Sequence, residues 1–416
     1  MRRLSALALL GLASPVLATN GYFSHGYGTI SKGMAGTGVA WSQDAIAAAA
    51  NPAGMSFVED RLDVGAEWFS PRREYEVEGG PAGMPPMGTF YLRPGTYESS
   101  SEHFVIPHFG YKRALDDKHT VGLTLFGNGG MNTDYDKDAM GPFYGGDAGV
   151  NLEQLFIMPS YSFQLDDKQA VGIAPIVAYQ RFEAQGLAAF SMFSSDPANL
   201  NDNGTDESWG YGVQLGWQGR VSEQLRLGAS YRSRIYMSEF DDYAGLFAEQ
   251  GDFDIPPMLN VGLAWQGGRH HVLFDVQHVR YSEVDAVGNS IQPLLLQQSR
   301  LGDDNGAGFG WDDMTTYKLG YQLDLTNDTQ LRAGVSYGEQ PIPDEEVLFN
   351  ILAPGVQEWH YTAGVTTALN DKWDISGMAF YSPEKEVEGE NPLGPGQTIA
   401  LRMYQIGASV SFAYKF

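Results

Sequence analysis

The side chains that could carry catalysis are present but not arranged for it. His25, His103, His108 and the pair His270-His271 are scattered among serines and carboxylates. None falls in a nucleophile elbow or in the helical spacing of a metalloprotease. The run Asn199-Leu200-Asn201-Asp202-Asn203-Gly204 resembles half of a calcium loop, but the Glu that would close it at the twelfth position is missing, so it reads as a polar loop. The chain has no cysteine, which removes disulfides and thiolate metal sites. No metal or cofactor is expected, and a lipase or protease is the weakest of the functional alternatives.

What remains is recognition of apolar matter. Leu187, Ala188, Ala189, Phe190, Met192 and Phe193 cluster in one otherwise polar connection, and Tyr243, Leu246 and Phe247 in the next. Such clusters either pack among themselves or form a binding groove. Phe and Met suit a permissive groove because they bind through area rather than directed bonds. Two cations are candidates for a polar contribution. Arg232 lies with Arg226 and Arg234 on one face of an alternating stretch, and Lys318 on the polar face of another. Either could meet a ligand carboxylate or balance nearby acids such as Asp324.

The elements that would position these residues announce themselves by period-2 alternation. At the C-terminus Tyr404, Ile406, Ala408, Val410, Phe412, Tyr414 and Phe416 share one face. Trp359 to Leu369 and Leu225 to Ile235 repeat the pattern. Short polar turns recur at 116–118, 166–168, 222–223, 267–268, 327–328 and 370–372. Long Gly/Asp/Asn/Pro-rich connections alternate with them, at about 79–100, 128–149, 188–208, 240–254, 284–308, 341–356 and 384–398. Six short and seven long connections predict fourteen strands.

An even number of strands, turns of alternating length, and Tyr or Trp at the ends of apolar faces describe an all-β, antiparallel transmembrane barrel of the bacterial outer membrane. In lipid the barrel must close, so the strand starting near Arg61 is expected to pair with the last one, about Ala400 to Phe416. Residues 1–18 read as a secretory signal, with Arg2 and Arg3 before the apolar run Leu4 to Leu12. The formal charge of −25 disfavours nucleic acid as a partner. The expected partners are a hydrophobic small molecule and the lipid and lipopolysaccharide of the outer membrane, and the expected state is a monomer.

Residues 19–58 do not alternate; they are rich in glycine and alanine and contain Asn51-Pro52-Ala53. This stretch is either a periplasmic tail or a hatch folded into the lumen of a barrel spanning 59–416. Here the chain resembles the FadL/TodX family of outer-membrane transporters of long-chain fatty acids and hydrocarbons. The resemblance rests on the Gly-rich N-terminal run ending in Asn51-Pro52-Ala53, on Gly127 to Tyr135 ending the third strand and on Gly310-Trp311-Asp312-Asp313 opening the tenth. Pro256-Pro257-Met258 and Pro341-Ile342-Pro343 add to it.

The resemblance implies an N-terminal hatch acting as a plug, a groove between outer loops and a lateral opening at a kink in the third strand. Gly127, Gly129 and Gly130 are the residues that would kink, and Tyr22, Phe23, Asn51, Pro52 and Ala53 are the hatch positions expected to gate. Relatives that bind fatty acids use bases after the fifth strand and before the Gly-Trp-Asp run. This chain has none at Glu183 to Leu187 or Asp303 to Gly308, which moves weight from fatty acids towards neutral hydrocarbons and aromatics. The alternatives kept open are a general porin and a structural or adhesive barrel.

Overall fold

A computed structural model describes residues 20–80, 91–135, 141–144 and 146–416; the expected leader lies outside them. Fourteen long strands run antiparallel round a closed sheet: β1 Arg61–Gly79, β2 Phe104–Ala114, β3 His119–Tyr135, β4 Ala148–Asp166, β5 Gln169–Gln185, β6 Asp206–Arg220 and β7 Leu225–Arg232. They continue as β8 Met258–Gly267, β9 His270–Val279, β10 Met314–Asp324, β11 Thr329–Gly338, β12 Trp359–Asn370, β13 Trp373–Glu390 and β14 Gln397–Lys415. Closure is complete, with β1 paired to β14 from Arg61↔Lys415 to Gly79↔Gln397. Two short strands, Gly95–Glu98 on β1 and Tyr236–Met237 on β6, lie outside the fourteen.

The alternation is inverted relative to a soluble protein. Val64, Val105, Leu215, Leu259, Val261 and Val410 are exposed on the outer wall, while Asp63, Glu67, Gln214, Gln218, Asp275 and Lys318 are buried inside. Only a wall facing lipid makes that arrangement stable. Aromatic residues mark both rims of the outer surface: Trp209, Tyr317, Trp359, Tyr361 and Tyr381 towards the long loops, Tyr161, Trp265, Tyr321, Trp373 and Phe416 towards the short turns.

One connection differs from expectation. Residues 384–398, expected as a long loop, are mostly strand, and only 391–396 join β13 to β14. Glu384, Glu386, Glu388 and Glu390 all face outward and are exposed, with Val387 buried between them. The alternation is intact there. Charges on the outer face argue against lipid contact, but not against a strand that rises beyond the bilayer.

The N-terminal segment from Asn20 to Val58 lies against the inner face of the wall and is almost wholly buried. It holds one short helical turn, Thr29–Lys32, and the 3-10 turns Ala47–Ala49 and Pro52–Phe57. Asn51 organises the second part. Its side chain accepts from Ala53 N at 3.1 Å and donates to Val39 O at 2.8 Å and to Trp217 O on β6 at 2.9 Å. Asn51 thereby caps a turn that starts with Pro52, a residue preorganised for that place. The close approach depends on glycine. A Cβ at Gly216 would stand 2.0 Å from Asn51 Oδ1, and one at Gly172 2.3 Å from Ala53 N.

Inward polar side chains hold the rest. Asp275 accepts from Gly38 N and Val39 N, Gln218 donates to Ala40 O, Asp63 accepts from Ala45 N, and Lys32 is ion-paired with Glu67. Backbone groups that cannot reach water are satisfied by the barrel instead.

Candidate functional site: an outer cleft and an opening in the wall

An apolar cleft lies among the long loops. Leu187, Phe190, Leu246 and Phe247 line it, so four of the seven residues expected from the sequence come together there. Phe193 packs beside Phe190 without lining the cleft, and Met192 is exposed on the loop's outer surface. Tyr243 is fully buried and braces the loops, donating to Gly204 O at 2.5 Å and accepting from Ala184 N at 3.1 Å.

The remaining walls come from segments the sequence reading passed over: Leu301, Ala307 and Phe309 from the connection before β10, and Phe349 and Leu352 from the one before β12. Leu301, Ala307 and Phe309 are single apolar positions among Gly, Asp and Asn, whereas Phe349 and Leu352 belong to the largely apolar run Val347 to Ala353. Only the helical turn Val347–Asn350 offers a local signal.

No charged side chain lines the cleft among the described residues. Truncation tests would therefore read area, whereas a charge should be severe, because an unpaired carboxylate in an apolar site costs several kcal/mol. Phe247→Asp is expected to weaken binding of an apolar probe molecule to the detergent-solubilised protein at least tenfold by calorimetric titration.

A clamp of charged residues holds the loop that carries Phe247. Arg234 donates to Asp254 at 2.5 Å, to Asp252 at 3.4 Å and to Glu283 O at 2.6 Å. Glu249 and Gln250 are both left-handed, at φ of 54° and 55°, and their amides donate to Asp303 O and Gly302 O. Two adjacent non-glycine residues in that region carry strain which the surrounding loops must offset.

Burial, then the neighbouring Asp254 and Glu249, push the Asp252 carboxyl up to about 8 against the pull of Arg234. A raised carboxyl favours the folded clamp in its protonated form. Its contribution is full at acid pH and is lost as pH rises from the ordinary carboxylate range through about 8. The affinity of the cleft for an apolar probe should accordingly fall as pH rises from about 4 to about 8, and Asp252→Asn should flatten that profile.

The second feature is a break in the wall. β2 pairs with β3 only from His108↔Phe126 to Ala114↔Thr120, although β3 continues alongside β4 to Tyr135. The register of β3 against β4 shifts between Gly127 and Gly129, with Asn128 buried in the lumen. This is a bulge, and it turns the outer half of β3 away from β2. Above the gap Arg73 donates to Asn132 O and Ser101 O and ties the edges together. Phe69, Phe104, Ile106, Met378 and Phe380 form an apolar cluster at the break, and a Cβ on Gly127 would lie 3.1 Å from Ile106 Cγ2.

The N-terminal segment sits on that bulge. Phe23 forms an isolated bridge with Gly129, Ser24 N donates to Asn128 O at 3.2 Å, and Gly130 N donates to Tyr22 O at 3.0 Å. Gly129 is required by the approach, since its Cβ would stand 2.2 Å from Tyr22 O. The structure thus brings Tyr22 and Phe23 together with Gly127, Gly129 and Gly130. Asn51, Pro52 and Ala53 lie elsewhere, against β4, β5 and β6 nearer the short turns.

Both candidate cations face the N-terminal segment. Lys318 donates to His25 O at 2.8 Å beside Asp275. Arg232 is fully buried, donating to Asn128 Oδ1, Gln214 Oε1 and Ala49 O at 2.8, 3.0 and 3.0 Å. Arg234 lies beyond the end of β7, in the clamp already described.

Aromatic rings connect cleft and opening. Phe182 is 4.7 Å from Phe247, Phe247 4.8 Å from Phe253, Phe253 6.2 Å from Tyr22, and Tyr22 4.8 Å from Phe23. Tyr281 and Trp311 flank Tyr22 at 5.5 and 5.9 Å.

The chain has known counterparts. Residues 18–392 match the family described as outer membrane protein transport protein (OMPP1/FadL/TodX). The chain belongs to the FadL/TodX family. It is therefore an outer-membrane channel for hydrophobic substrates, and the proteins it resembles are transporters and channels rather than enzymes.

An outer membrane protein of Neisseria meningitidis is 22% identical over 408 residues, covering 86% of this chain and 85% of that protein. The long-chain fatty acid transport protein of Escherichia coli is 20% identical over 355 residues, or 74% and 77% of the two chains. Among solved structures, the Pseudomonas putida toluene transporter TodX superposes with a TM-score of 0.68 at 19% identity, covering 94% and 99%. A Pseudomonas aeruginosa FadL homologue gives 0.69 at 17%, covering 95% and 100%. At these identities the superpositions speak for the fold of this FadL/TodX-family chain.

Proposed function

We propose that the protein carries neutral hydrophobic molecules, aromatic or aliphatic hydrocarbons, from the outer cleft to the break between β2 and β3 and releases them sideways into the bilayer. One observation carries the reading: the aromatic path from the cleft ends on Tyr22 and Phe23, and these are docked on the bulge where the wall is unpaired. Residues 19–58 act as a hatch that closes the break at rest. Transport needs movement of the Tyr22 to Ser24 stretch only, leaving the Asn51-Pro52-Ala53 anchor in place.

A neutral cargo is favoured because no Lys or Arg lines the cleft among the described residues, and because Arg232 and Lys318 are engaged by the hatch. Sideways exit follows from solvation. An apolar solute gains about 25 cal/mol per Å² on leaving water, so a route from loop cleft to lipid runs downhill without nucleotide or ion gradient. The whole route lies within one barrel, which fits a monomer whose outer wall meets lipid and, at its upper rim, lipopolysaccharide.

Uptake into cells that lack other such channels tests this. Radiolabelled toluene should accumulate at least tenfold faster with the protein than without it, oleate less so, and a disaccharide at the background rate. Entry of the disaccharide at the rate of toluene would mean an open porin.

A further inference from the structure

We propose that Arg232 is a positioning residue that latches the hatch onto the wall opening, and that a chain of buried side-chain amides lets the outer cleft act on this latch. The inference rests on the transport route proposed above and adds its control.

Asn128, the bulge residue itself, is the node. Its backbone carbonyl accepts from Ser24 N of the hatch, while its side-chain oxygen accepts from Arg232 at 2.8 Å and from the Tyr27 hydroxyl at 3.0 Å. Arg232 reaches the hatch again at Ala49 O and stacks its guanidinium over the rings of Tyr27 and Phe156 at 5.4 and 5.1 Å. One buried cation therefore joins β7, the bulge of β3 and two points of the hatch. Charge-assisted bonds of this kind are the strong ones, and Arg232 and Asn128 are both fully buried.

From the other side of Asn128 a relay runs outward. Asn128 Nδ2 donates to Gln154 Oε1 at 3.0 Å, Gln154 Nε2 to Gln180 Oε1 at 3.2 Å, and Gln180 Nε2 to Phe253 O at 2.8 Å. Asn128, Gln154 and Gln180 are all buried, and every amide donates towards the loops. Bonds aligned in one direction polarise one another, so loss of the last acceptor weakens the whole chain.

That acceptor belongs to the loop that carries the cleft wall: the Phe253 ring packs 4.8 Å from Phe247. A guest wedged against Phe247 shifts Phe253, withdraws its carbonyl from Gln180 and loosens Asn128 from Arg232. The hatch then leaves the bulge only when cargo stands in the cleft.

The absence of cysteine makes a clean test. Ser24→Cys places one buried thiol directly behind the bulge. Its labelling by a bilayer-soluble maleimide in proteoliposomes reports opening, with toluene as the probe cargo and heat-modifiable gel mobility as the check on folding. In the Ser24→Cys protein toluene should speed labelling about tenfold.

Adding Arg232→Met should give the fast rate without toluene, Arg232→Lys an intermediate rate, and Gln180→Leu a rate that no longer responds to toluene. Asn128→Leu should also give the fast rate without toluene, and the two together should do less than the sum of their separate effects, because both remove the Arg232–Asn128 contact. If toluene speeds labelling equally in all folded variants, the latch is wrong and lateral transport stands. If toluene never changes labelling and is not taken up, both fall together. Should Arg232→Met fail to fold, the loss or retention of the toluene response in Gln180→Leu decides the matter alone.

Discussion

Stapling the wall opening with a disulfide between Ile106→Cys and Gly127→Cys is expected to reduce toluene uptake at least tenfold, with full recovery on reduction. The geometry is suited to the bond. A Cβ built on Gly127 lies 3.1 Å from Ile106 Cγ2, and removing the isoleucine methyls leaves room for two sulfurs joining Cβ atoms that must stand about 3.5–4.5 Å apart. Both positions lie where β2 and β3 are unpaired, so the staple restores by a covalent bond what the bulge removes from the ladder. The cleft lies among the loops, away from the staple, so toluene binding should persist while transport stops. Uptake that is indifferent to the redox state of the pair would mean that cargo leaves by another way.

The second large effect concerns the hatch tip. Tyr22→Ala with Phe23→Ala should raise ionic conductance in planar bilayers from a nearly silent baseline to frequent openings. Tyr22 and Phe23 are completely buried and contact Phe253, Tyr281 and Trp311. Truncating a buried aromatic side chain costs roughly 3–5 kcal/mol. Two such losses exceed what the two backbone bonds to the bulge can hold, at about 1 kcal/mol each. The rest of the hatch stays anchored by Asn51, Gln218 and Asp275, so the barrel should still assemble. A double variant as silent as the parent would show that the hatch tip does not close the opening.

The barrel was legible because lipid imposes a strict rule. Every spanning strand must alternate and the sheet must close, so turn spacing led to fourteen strands and closure to the pairing of the strand starting near Arg61 with the last one. The rule ends where the bilayer ends. Glu384 to Glu390 keep the alternation, but their charges resemble a loop to a reader who expects lipid on the outer face.

The cleft was half legible. Leu187, Phe190, Leu246 and Phe247 stand out as apolar clusters, whereas Leu301 and Phe309 are isolated residues brought together with them only by loop folding. Gly127 to Gly130 announced a bend, but nothing local told that Tyr22 would lie on it, since that contact spans more than a hundred residues. Arg232 could be placed on an inward face, yet not between Asn128 and Ala49. The partners of a buried cation are set by tertiary structure.

Where the cargo goes is the central claim, and photo-crosslinking tests it most directly. An aliphatic diazirine, irradiated during transport in proteoliposomes, should leave adducts on the cleft residues Phe190 and Phe247 and at the wall opening, on Phe104, Ile106 and Met131. Adducts at the polar mouth near the short turns, on Gln43, Gln322 or Gln330, with none at the opening, would place the exit along the barrel axis and contradict the account.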